Sequence, residues 1–79
     1  MADVTFEIKD YLLVLSTGMK GWTKEVNVVS WNKRKPKLDI REWDENHIKM
    51  GKGITLNREE IIQLKELFNK LDLDEHGID

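Results

Sequence analysis

The chain has no cysteine, so neither a disulfide nor a thiolate-bound metal can hold it together. That absence matters at 79 residues. A domain of this size buries only roughly 60% of the surface its unfolded chain exposes, and commonly needs reinforcement. With covalent staples excluded, self-association is the expected reinforcement of a single domain spanning 1–79. No apolar run approaches the roughly 18 residues of a membrane span, and no stretch combines the basic, apolar and small-residue regions of a signal peptide. A soluble cytoplasmic protein with no membrane partner is the expectation. Histidine is scarce as well: His47 and His76 fall in a turn and in the tail, with no serine or cysteine nucleophile arranged around them. No catalytic set is recognised, and the expected protein is neither an enzyme nor dependent on a cofactor. Asp72, Asp74 and Gly77 look like the opening of a calcium loop, but His76 takes the fifth position and no glutamate follows at the twelfth, so no metal site is expected.

An excess of charge is missing too, the formal net charge being −2, but the balance hides an asymmetry. Residues 1–19 carry one basic and three acidic side chains, whereas residues 20–41 carry seven basic and two acidic. Residues 42–56 are close to neutral, and residues 57–79 carry three basic and seven acidic. A local positive patch on a neutral chain still attracts phosphate, because screening over about 8 Å at physiological salt stops distant acids from cancelling it.

The first two thirds of the chain read as strands and the last third as a helix. Val4, Phe6 and Ile8 alternate with polar neighbours before the run Tyr11–Leu15, which predicts a long first strand whose second half is covered on both faces. Residues 16–21 break it, with Gly18 and Gly21 suited to a hairpin connection into a second strand over about Trp22–Trp31. Lys33-Arg34-Lys35-Pro36 makes the next turn. The third strand, Lys37–Trp43, places Leu38 and Ile40 on one side and Lys37, Asp39, Arg41 and Trp43 on the other. A turn at residues 44–47 and a short fourth strand, Ile48–Met50, ending at Gly51-Lys52-Gly53, complete the sheet. Asn57 with Glu60 three residues later predicts a capping box and a helix to Leu71. Its apolar stripe, Ile61, Leu64, Phe68 and Leu71, must bury either on the chain's own sheet or against a symmetry mate. The acidic segment 72–79 has little to bury and is expected to fray.

With a helix on one face of an antiparallel sheet, the other face is free to bind. Parity puts Lys37, Asp39, Arg41 and Trp43 on that face, and Trp31 with Lys33, Arg34 and Lys35 close the hairpin beside it. Aromatics among cations suit single-stranded nucleic acid, since bases stack on rings while cations follow the phosphates. Each member also has a plainer reading. Tryptophan fills small cores, charged turns discourage edge pairing, Arg41 can pair with Asp39 or Glu42, and Gly51-Lys52-Gly53 can be a simple turn.

Leu38-Asp39-Ile40-Arg41-Glu42-Trp43 followed by Gly51-Lys52-Gly53-Ile54-Thr55-Leu56 resembles the signature of the transcriptional coactivator family called positive cofactor four, over roughly residues 24–71. The order and spacing of the two motifs carry the resemblance. It implies an α+β fold, a curved four-stranded antiparallel sheet with one C-terminal helix, forming a homodimer that binds single-stranded DNA without sequence preference and without a cofactor. By the same resemblance, Arg41 corresponds to a DNA-contacting arginine, Lys33 and Lys35 to basic turn positions, Lys52 to the lysine before Gly-Ile, and Lys24 more loosely to a second-strand position. Two departures stand out: the family's aromatic before the basic turn falls at Asn32, leaving Trp31 one residue early, and Asp44 follows Trp43 where family members often show a second aromatic.

The nucleic-acid contacts expected from composition and resemblance together are Lys24, Trp31, Lys33, Arg34, Lys35, Lys37, Arg41, Trp43 and Lys52, with Ile61, Leu64, Phe68 and Leu71 as the dimer interface. The expected role is transcription regulation or another process that opens duplexes, with RNA as the alternative ligand. The other alternative is an interaction module that contacts the transcription machinery. The compact form resembles bacterial members of the family; the location expected is cytoplasmic, with nucleoid association as an alternative.

Overall fold

The computed structural model describes residues 4–79. Four strands, β1 (Phe6–Thr17), β2 (Thr23–Trp31), β3 (Lys37–Trp43) and β4 (Met50–Leu56), form one antiparallel sheet in chain order, followed by α1 (Arg58–Lys70). The expected α+β architecture is the observed one.

β1 explains the shape of the sheet. Its 12 residues run beside the 9 of β2, and the ladder slips between Ile8 and Asp10, Tyr11 and Leu13, and Val14 and Ser16. Lys9, Leu12 and Leu15 are therefore the extra residues of three bulges, each of which bends the strand and strengthens its twist. The amide freed at one bulge is answered from β2, where the side-chain oxygen of Asn27 accepts from the Leu12 N–H at 3.3 Å. The sheet curls strongly as a result. Phe6 pairs with Trp31 at one end, yet its ring comes within 5.2 Å of Trp43, which pairs with Thr23 at the other end.

The inside of this curl is the better buried face. It carries Val29 and Trp43, both without exposed surface, together with buried Glu25, Asn27 and Asp39. This corrects the expected free face: Asp39, Arg41 and Trp43 do share a side with Lys37, but that side is the concave one. The aliphatic side, with Val26, Val28, Leu38 and Ile40, is only partly covered, and Ile54 on it is exposed. The second half of β1 is likewise open, Tyr11 to Leu15 all being at least half exposed, in place of the expected cover on both faces.

β4 starts later and runs further than expected. Ile48 lies in the preceding turn, where the Asp44 carboxylate accepts from the Ile48 and Lys49 amides at 2.8 and 3.1 Å, and the strand passes through Gly51 and Gly53. Neither glycine ends the strand, and Gly53 marks the close approach of a neighbour.

The helix forms as its cap predicts. Asn57 accepts from the Glu60 amide and Glu60 from the Asn57 amide, both at 2.9 Å. It leaves the sheet at Leu56 and stands off it across a groove of about 530 Å³, lined by Val28, Leu38 and Leu56 from the sheet and by Ile61 from the helix. No helix residue is buried, and Phe68 is 63% exposed. The helical stripe is not packed closely on the chain's own sheet. Within the exposed segment 72–79, residues 73–77 form turns and the Ile78 amide donates to the Leu73 carbonyl at 2.9 Å.

Candidate nucleic-acid interface

The hairpin between β2 and β3 turns on Asn32 and Lys33. Both have positive φ, 51° and 62°, and the Arg34 amide donates to the Trp31 carbonyl at 2.9 Å, the pattern of a type I′ turn. The asparagine suits that backbone and also anchors it: its amide donates to the Thr5 carbonyl at 2.8 Å and its side chain accepts from the Thr5 amide at 2.9 Å. The Ser30 hydroxyl donates to the Arg34 carbonyl at 2.6 Å. The turn is thus pinned from three sides while Lys33, Arg34 and Lys35 stay exposed.

Beside it lies a cleft of about 280 Å³ lined by Trp31, Arg34, Lys35, Lys37, Arg41 and Thr55. Four of these six side chains are cationic and none is acidic, while Asp39, fully buried, is engaged with Arg41 at 2.7 Å. The guanidinium carbon of Arg41 lies 4.6 Å from the centre of the Trp31 ring. The indole nitrogen of Trp31 is buried without a partner, so the polar edge of the ring points inward.

Five of the expected contacts, Trp31, Arg34, Lys35, Lys37 and Arg41, therefore line one cleft. Lys33 lies on the other flank of the turn, in a small depression with Thr5, Phe6, Glu7 and Ser30. Lys24 pairs with Glu42 and Ser16, away from the concave side. Lys52 is exposed in the irregular stretch of β4 where the ladder slips opposite Arg41 and Trp43. Trp43 is corrected outright as a stacking surface. With no exposed area, it is enclosed by Phe6 at 5.2 Å and His47 at 5.7 Å.

Behind Trp43, His47 bonds the Glu25 carboxylate at 2.9 Å and meets the Tyr11 ring edge-on at 5.2 Å. Glu25 also accepts from Asn27 at 2.9 Å and from the Thr23 hydroxyl. Burial pushes the Glu25 carboxyl upward, but the hydrogen bonds from Asn27, Thr23 and His47, with the attraction of His47, outweigh it and hold the group below the usual range. Thr55, Gly51 and Gly53 were not among the expected site residues. Gly53 stands directly across from Arg41, a register that the pattern of the fourth strand alone does not show.

Residues 19–67 match the family described as transcriptional coactivator p15 (PC4). The chain belongs to this family. Both motifs quoted for positive cofactor four lie inside the matched residues, as do β2, β3, β4 and most of α1. An uncharacterized protein of Treponema pallidum (strain Nichols) is 44% identical over 72 residues, which cover 91% of this chain and 85% of that protein. The likeness to it thus extends beyond the family match at both ends, into β1 and past the end of α1. As a family member, the chain carries its basic cleft on the hairpin between β2 and β3, within the matched segment.

Proposed function

We propose that the chain binds single-stranded DNA, largely without sequence preference, as a homodimer acting in transcription or another process that opens duplexes. The observation that carries this reading is the cleft in which Arg34, Lys35, Lys37 and Arg41 gather around Trp31. Cations track phosphates, and a flat group among them offers a base a surface every base can use. Lys33, on the turn's other flank, extends the positive track, with Lys24 and Lys52 as outlying contacts. Membership of a family described as a transcriptional coactivator supports the transcriptional setting.

The homodimer rests on what a single chain leaves open. Val26, Val28, Leu38, Ile40 and Ile54 on the sheet, and Ile61, Leu64, Phe68 and Leu71 on the helix, form apolar surfaces with too little to bury them. A second copy supplies a matching pair. The same surfaces would serve a docking partner in the transcription machinery, which light scattering of the isolated protein distinguishes.

The test is a fluorescence-anisotropy titration with single-stranded DNA, RNA and duplex of one sequence. Tightest binding to single-stranded DNA is expected. Preference for RNA would move the role to transcripts, and preference for duplex would overturn the reading.

A further inference from the structure

Arg41 is held more firmly than a simple phosphate contact requires. Its Nε donates to Asp39 Oδ1 at 2.7 Å, one terminal nitrogen donates to the Gly51 carbonyl at 3.3 Å, and the same nitrogen lies 3.6 Å from the Met50 sulfur. The Arg41 side chain is 13% exposed and that of Asp39 not at all. The second oxygen of Asp39 is buried without a hydrogen-bond partner, so its carboxylate serves Arg41 alone. A buried carboxylate is costly unless a cation answers it, which ties the two side chains into one unit. Gly53, across the ladder from Arg41, clears the space beside it. A Cβ built at Gly53 would collide with the Arg41 Cβ and the Ile40 carbonyl, and would stand 3.0 Å from the Arg41 Nε.

We propose that Asp39 and Gly53 are positioning residues of the nucleic-acid site: they fix Arg41 over Trp31, and this guanidinium-on-indole layer, not the bare ring, is the surface on which a base stacks. The proposal rests on the nucleic-acid reading of the cleft. Guanidinium planes take stacked bases as aromatic rings do, and a plane already fixed costs less to order on binding than a free side chain. One consequence runs against simple electrostatics. Asp39 is an acid close to where phosphates would pass, so charge alone says that removing it strengthens binding. Positioning says that removing it weakens binding.

The test measures the affinity of the full chain for labelled oligothymidylate by fluorescence anisotropy, at one salt concentration and well below each variant's melting temperature. Asp39→Asn keeps the shape of the side chain and Arg41→Lys keeps the charge. Each is expected to weaken binding by about tenfold, within the range of a lost base stack. The double variant is expected to be no weaker than the worse single one, because both remove the same fixed layer. Gly53→Ala leaves both charges in place, and is expected to weaken binding in the wild-type background but not in the Arg41→Lys background. Wild-type or tighter binding by Asp39→Asn overturns the proposal, as does a double variant whose loss equals the product of the single losses. Either result leaves the nucleic-acid reading standing, whereas failure of the unaltered chain to bind overturns that reading itself.

Discussion

Replacing Trp43 with alanine removes a side chain that has no exposed surface and meets Phe6 and His47. It is expected to lower stability by about 3–5 kcal/mol, measured by urea denaturation. Trp31→Ala acts elsewhere. It takes away the support of Arg41 at the cleft and is expected to weaken single-strand binding about five- to hundredfold, measured by anisotropy on folded protein. Arg41→Ala affects both properties, because it strands the buried Asp39 carboxylate. Breaking a buried pair costs about 3–5 kcal/mol, and adding Asp39→Asn to the same chain is expected to return part of that stability without restoring binding. Urea denaturation of the two variants side by side checks it. A double variant no more stable than Arg41→Ala would mean that Asp39 is not the source of the cost.

The connection between β3 and β4 is clamped to β2 by His47 on Glu25, and that clamp gives the fold a pH dependence. Glu25 has a folded-state pKa below its ordinary 4.5. The folded chain therefore binds fewer protons than the unfolded one in that range, and stability is lost as pH falls. The contribution of Glu25 is expected to be complete above the ordinary carboxylate range, and to disappear as pH drops from 4.5 through the lowered folded value. Melting temperature against pH checks it, with Glu25→Gln expected to flatten the acid limb. An unchanged acid limb in that variant would remove Glu25 as its cause. Elements built on local chemistry, the capping box of α1 and the strands β2 and β3, were legible in the sequence because their signals lie within a few residues. β4 was misplaced because glycine reads as punctuation, while Gly53 here makes room for Arg41 on the neighbouring strand. The bulges of β1 were hidden for a similar reason. The amide freed at Leu12 is satisfied by Asn27, 15 residues away.

For the whole molecule, parity told which residues share a face but not which face would be inside. The curl of the sheet, produced by three bulges in one strand, decided that. It took Trp43 from the expected binding surface into the core and left the aliphatic side open. The open side and the incompletely buried helix stripe, with Phe68 exposed, predict that Phe68→Glu shifts the light-scattering mass from two chains to one and lowers the melting temperature. A monomeric unaltered chain would contradict that. The central claim is that one cleft gathers four cations against a single strand of nucleic acid. It is tested most directly by measuring the dissociation constant for oligothymidylate across a series of salt concentrations. Single-strand binding loses about 0.7 of a logarithmic unit of affinity per phosphate neutralised for each tenfold rise in salt. With Arg34, Lys35 and Lys37 engaged on phosphates and Arg41 already paired with Asp39, a slope of about −2 per chain is expected. A dissociation constant that does not change with salt would contradict the account.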